Sequence, residues 1–143
     1  HGNDTMMRAA AAEKRGIAIL AVTALTSLDR RDLDDLGFAC DPEALVLSRA
    51  KAALAAGCDG VISSGLEAAA LRREVDDRLI VVCPGIRPVE NSGDDQKRTV
   101  DVAGAFANGA DYIVVGRPIR QAPDPRAAAA AIQATIRGAF PGG

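Results

Sequence analysis

The sequence predicts an α/β protein of the (β/α)8 TIM-barrel class, with this chain carrying about the last four βα units, a half barrel. Three observations lead there. Four short apolar runs, at residues 17–22, 60–63, 79–83 and 112–115, are nearly continuous rather than alternating, the pattern of parallel strands covered on both faces. Helical stretches with legible ends lie between them. Residues 53–62 are echoed by residues 105–114, an offset of 52; each copy is a helix end, a glycine turn, and an Asp leading into a strand. A strand-helix unit recurring at about 25 residues suits a closed (β/α) barrel better than a doubly wound open sheet. A complete barrel has eight units in about 250 residues. The 143 residues with four strands are therefore expected to be the C-terminal half of one barrel domain, residues 1–143, its N-terminal half absent.

The helices can be placed in order. The first covers roughly residues 5–14 and stops at Gly16. A short one, roughly 30–36, ends at Gly37. Asp41 caps the next, with Pro42 at its first position and Gly57 closing it. Ser64 and Glu67 have capping-box spacing ahead of Ala68, Ala69, Ala70 and Leu71. Asp101 is a cap for the helix that stops at Gly109, and Asp124-Pro125 opens the last, through residues 127–136. An open arc of four strands is expected to expose apolar positions such as Ile17, Ile19, Ile62 and Val81, and to leave the edge at residues 17–22 without an inner neighbour.

Composition narrows the function. Seventeen basic and 19 acidic residues give a net charge of −2; with 3% aromatics, the chain lacks the basic surface of a general nucleic-acid binder. The 48% apolar fraction includes 29 alanines, which points to Ala-rich helices packed on a sheet. No run is apolar enough for a membrane span, and no signal peptide is expected. Cys40, Cys58 and Cys83 have no metal-binding spacing and read as buried thiols of a reducing, cytoplasmic compartment. The single histidine is residue 1, which leaves no Ser/His/Asp triad or His-based metal site within the chain. Asp29, Asp32, Asp34 and Asp35 read as a solvated acidic face.

In this fold, function gathers where strands run into helices, and phosphate often binds after the last two strands. Those loops contain Pro84-Gly85-Ile86-Arg87-Pro88, a polar stretch at residues 89–98 that includes Gln96, and Gly116-Arg117-Pro118-Ile119. Glycine lets backbone approach a phosphate, and guanidinium offers a fork matched to its oxygens. Alternatively, these arginines cap helix ends or pair with Asp94 and Asp95.

The same residues carry a resemblance. VVCPGIRP (81–88), GDDQKR (93–98) and GADYIVVGRPI (109–119) resemble the C-terminal half of the bacterial orotidine 5′-phosphate decarboxylase family. Upstream, LAVTALTS (20–27) resembles that family's fifth strand and loop, and His1 with Met6-Met7-Arg8-Ala9-Ala10 resembles the end of its fourth strand and the next helix. The resemblance implies cofactor-free decarboxylation of orotidine 5′-phosphate to UMP, the last step of de novo pyrimidine synthesis, by an enzyme that is a homodimer when intact. It implies that Thr26 contacts the pyrimidine side, that Arg87 binds ligand, that Gln96 reaches over the phosphate, and that Gly116 and Arg117 grip it. Thr26 could instead be a turn hydroxyl and Gln96 a solvated loop residue.

One departure is large. The family's DxKxxD motif has no counterpart; Lys14, Lys51 and Lys97 are the only lysines, and none has that context. A lysine must protonate the carbanion-like carbon as CO₂ leaves. The chain is expected to hold the gripping half of the site, no catalytic residue, and no activity alone. The other readings are a related sugar-phosphate decarboxylase or aldolase-like barrel, against which residues 25–27 and the PGIRP…DDQ combination argue, and a non-catalytic phosphate-binding half barrel.

Overall fold

The computed structural model describes residues 3–87 and 97–140. Its four strands, β1 (Leu20–Val22), β2 (Gly60–Ile62), β3 (Ile80–Cys83) and β4 (Tyr112–Ile113), form one parallel sheet in sequence order. Seven helices accompany them: α1 (Asp4–Ala12), α2 (Arg30–Asp35), α3 (Pro42–Ala55), α4 (Ala68–Glu74), α5 (Val102–Ala107), α6 (Arg117–Arg120) and α7 (Pro125–Ala139). Adjacent parallel strands joined by helical crossovers are the half-barrel arrangement expected from the sequence. The strands are shorter than the apolar runs, most at the sheet's ends. Among the described residues β1 pairs only with β2 and β4 only with β3, so each lacks a second ladder to extend it.

The caps follow the sequence at three sites. Asp41, Asp101 and Asp124 accept hydrogen bonds from the backbone N–H of Ala44, Gly104 and Ala127, each satisfying a donor left over in a first helical turn. The capping box expected at Ser64 and Glu67 does not form. Helix α4 starts only at Ala68, which puts Glu67 itself at the N-cap without a side-chain cap; its carboxylate accepts from Arg98 instead. A capping box does form at Asp29 and Asp32, at the start of α2. The Gly116–Ile119 stretch, expected as loop, contains α6, with Pro118 in its first turn, where proline's missing N–H costs nothing.

The core lies between the sheet and α3, α4 and α5. Val61, Val81 and Cys83 face Leu45, Val46, Ala50 and Ala53 of α3, Leu71 of α4 and Ala105 of α5. Alanine on the inner helix faces lets backbone approach the sheet closely. Helix α7 packs on α5, with Ile132 and Ile136 half-buried. Ile17 is exposed, as expected, but Val81 is fully buried. Alternation along β3 turns Val81 toward the helices. Val22, Leu25, Tyr112 and Val114 are the exposed apolar residues on and just beyond the edge strands. No helix among the described residues is long and apolar enough to cross a membrane.

Candidate functional site

A cleft of about 310 Å³ opens at the C-terminal ends of the strands. Val22 ends β1, Ile62 ends β2, Pro84 follows β3 and Val114 follows β4, and all four line it. Parallel strands deliver every βα loop to this one end, so residues far apart in sequence converge there. Thr26, Arg87, Gly116 and Arg117 all line the cleft. Gln96, like Asp94 and Asp95, lies outside the described residues.

Local structure places each residue. Gly85, which follows β3, has φ +77°, a left-handed conformation that glycine adopts without a Cβ clash. It turns the chain so that the Arg87 N–H donates to the Val100 carbonyl at 3.0 Å. Arg87 is buried, and its guanidinium donates to the Ile86 carbonyl at 2.8 Å. After the neighbouring strand, Arg117 is half-buried at the start of α6. A Cβ added to Gly116 would meet nothing within 4 Å, so its backbone is open to an approaching group. Two arginines and a glycine backbone thus line the cleft at neighbouring strand ends, residue types whose chemistry suits an oxyanion.

The opposite wall is the loop after β1, where Ala24, Leu25 and Thr26 line the cleft and Thr26 is buried. The Thr26 carbonyl accepts from the backbone N–H groups of Lys97 (3.2 Å) and Arg98 (3.1 Å). The Lys97 ammonium sits 2.8 Å from Asp29 and 2.7 Å from Asp32. That ammonium, with the backbone bond from Asp32, holds the Asp29 carboxyl down to about 2. The expected solvated face is thus only half correct: Asp34 and Asp35 are exposed, while Asp29 and Asp32 cap α2 and hold Lys97. Behind this loop, Arg98 and Glu67 form a buried ion pair at 2.6 Å. Burial pushes the Glu67 carboxyl up, against the opposing charge of Arg98.

None of the three lysines lines the cleft. Lys14 pairs with Asp59 at 2.7 Å, at the other end of the strands, and Lys51 is exposed on α3. Cys58 and Cys83 are buried and Cys40 is half-buried, all three as free thiols. Sequence reasoning missed Arg98 altogether and gave Glu67 the wrong partner. Their separation of 31 residues leaves no local spacing signal, although Arg98 closes the GDDQKR motif.

A four-stranded parallel sheet in sequence order with helical crossovers, and a cleft at the C-terminal ends of its strands, defines part of a (β/α) barrel protein. Residues 1–132 match the Orotidine 5'-phosphate decarboxylase / HUMPS family, and the chain belongs to that family. It is 66% identical over its whole length to orotidine 5'-phosphate decarboxylase of Methylococcus capsulatus, spanning 60% of that protein. It is 59% identical over 94% of its length to that of Xanthomonas campestris, spanning 56%. Among solved structures, orotidine 5'-phosphate decarboxylase from Lactobacillus acidophilus superposes with a TM-score of 0.73 at 35% identity, covering 94% of this chain and 59% of that one. The chain therefore spans about 60% of the length of the curated relatives it matches.

Proposed function

We propose that this chain supplies the phosphate- and pyrimidine-gripping part of an orotidine 5′-phosphate decarboxylase, which converts orotidine 5′-phosphate to UMP and CO₂. The observation that carries the proposal is the convergence of Thr26, Arg87, Gly116 and Arg117 on one cleft. Arg117 and the Gly116 backbone take the phosphate, Arg87 binds beside them, and Thr26 faces the pyrimidine from the opposite wall; Gln96 completes the phosphate grip. Loss of CO₂ leaves an electron pair on the ring carbon, which must be protonated. No lysine lines this cleft, so the proton donor comes from outside the chain. Binding energy collected at the phosphate then serves chemistry at the base, a remote part of the substrate stabilising the transition state. The sugar-phosphate alternative is less favoured, because relatives at 66% and 59% identity carry the decarboxylase's name. On this reading the complete enzyme is a cytoplasmic homodimer without a cofactor, and binds neither nucleic acid nor membrane.

The test is to join the chain to the part of the Methylococcus capsulatus relative that it does not span, and assay this completed barrel beside the chain alone. The completed barrel is expected to release CO₂ from orotidine 5′-phosphate and the 143-residue chain to release none. A folded completed barrel that binds UMP but has no decarboxylase activity would contradict the proposal.

A further inference from the structure

Arg98 does not line the cleft, yet it bonds three consecutive residues that do. Its guanidinium donates to the carbonyls of Leu25 (3.0 Å) and Ala24 (3.3 Å), and its backbone N–H donates to that of Thr26 (3.1 Å). On its other side the guanidinium meets Glu67 at 2.6 Å, and the Arg98 carbonyl accepts from the Ser64 hydroxyl at 3.1 Å. One side chain thus fastens the loop after β1 to the segment after β2.

Stability is a poor reason for this pair. Both side chains are less than 10% exposed, and taking two charges out of water costs several kcal/mol per ion, so an apolar pair of similar volume is often as stable. The Glu67 Oε2 and Arg98 Nε atoms are buried with no partner among the described residues, which adds to that cost. What an apolar pair could not do is fix the direction of the Ala24 and Leu25 carbonyls, next to the Thr26 carbonyl that the Arg98 backbone already holds. The planar guanidinium does this with separate N–H groups in a rigid fork.

We propose that Arg98, held by Glu67, is a positioning residue that sets the Ala24–Thr26 wall of the cleft for the base of the nucleotide, while the phosphate grip at Gly116 and Arg117, which follow β4, does not depend on it. This inference rests on the proposed function, because that reading puts the base against Thr26. It makes Arg98 a determinant of base recognition that never touches the base.

The experiment uses the completed barrel with Arg98→Met, Arg98→Lys and the double change Glu67→Met with Arg98→Met. Affinities for UMP and ribose 5-phosphate are measured by calorimetry, and melting temperature alongside. Arg98→Met is expected to weaken UMP about tenfold, the equivalent of one charge-assisted hydrogen bond, and to leave ribose 5-phosphate within about twofold. The double variant is expected to melt closer to the unmodified protein than Arg98→Met does, and still to bind UMP weakly. Arg98→Lys keeps the charge opposite Glu67 but not the fork, so stability returns further than UMP affinity. Equal losses for both ligands, or full UMP affinity in Arg98→Lys, would overturn the inference. If Arg98→Met does not fold, Arg98→Lys and the double variant decide it alone. An unmodified barrel that binds neither ligand would overturn the proposed function, and this inference with it.

Discussion

Asp59 and Asp111, 52 residues apart, make the same two bonds. The Asp59 carboxylate accepts from the Ile19 N–H at 2.9 Å and meets Lys14 at 2.7 Å; the Asp111 carboxylate accepts from the Val81 N–H at 2.7 Å and meets Arg72 at 2.7 Å. Each Asp lies just before a strand and holds the backbone of the strand beside it. The sequence repeat is therefore a repeated device for setting register at the N-terminal ends of parallel strands, opposite the cleft.

The two copies should differ in weight. Val81 is fully buried, whereas Ile19 is half-buried. Arg72 also donates to the carbonyls of Gly109, Asp77 and Leu79. Asp111→Ala is expected to cost about 1–3 kcal/mol for the orphaned Val81 N–H, and Asp59→Ala less. Urea denaturation of the completed barrel measures both; a larger loss for Asp59→Ala would show that the shared geometry does not carry the energy assigned to it.

Acid should loosen the Thr26 wall at one identifiable carboxylate. Lys97 first, then the backbone bond from Asp32, hold Asp29 at about 2 against an ordinary 3.8. A carboxylate depressed on folding contributes stability above its unfolded value and loses it as pH falls through its folded one. The contribution of Asp29 is therefore present above pH 3.8 and lost as pH falls toward 2. In Lys97→Met the Asp29 titration followed by carboxyl NMR should move up toward its ordinary value. A midpoint unchanged by Lys97→Met would place the cause elsewhere.

Much of this was legible in the sequence because it is local or periodic. Continuous apolar runs marked the four strands, and Asp-Pro or Asp at a helix start marked the caps at Asp41, Asp101 and Asp124. Glycines and arginines at strand ends marked the cleft. What stayed hidden depends on long-range pairing. Ser64 and Glu67 have the spacing of a capping box, but Arg98, brought near by the chain's return past β1, claims the Glu67 carboxylate. Asp29 and Asp32 look like surface charge until Lys97 arrives between them, 65 residues beyond Asp32. The Arg117 turn was readable in principle, since Pro118 suits the start of a helix.

Cys83 should be the least reactive of the three thiols. It is fully buried at the end of β3, in the core, and burial pushes its thiol up to about 12, so almost none is thiolate near neutral pH. Titration with a disulfide reagent, read by mass spectrometry of peptides, should label half-buried Cys40 first and Cys83 only in denaturant. Early labelling of Cys83 would contradict the packing of β3 described here.

The central claim is the proposed division of labour, in which this chain grips the phosphate and a group outside it performs the proton transfer. The most direct measurement compares Arg117→Ala with the unmodified completed barrel on orotidine 5′-phosphate and on orotidine, which lacks the phosphate. A charge-assisted hydrogen bond is worth roughly 1.5–3 kcal/mol, so kcat/KM for the phosphorylated substrate should fall about 10–100-fold. Turnover of orotidine should hardly change. An equal loss on both substrates would mean that Arg117 supports the barrel or the base rather than the phosphate, and would contradict the account.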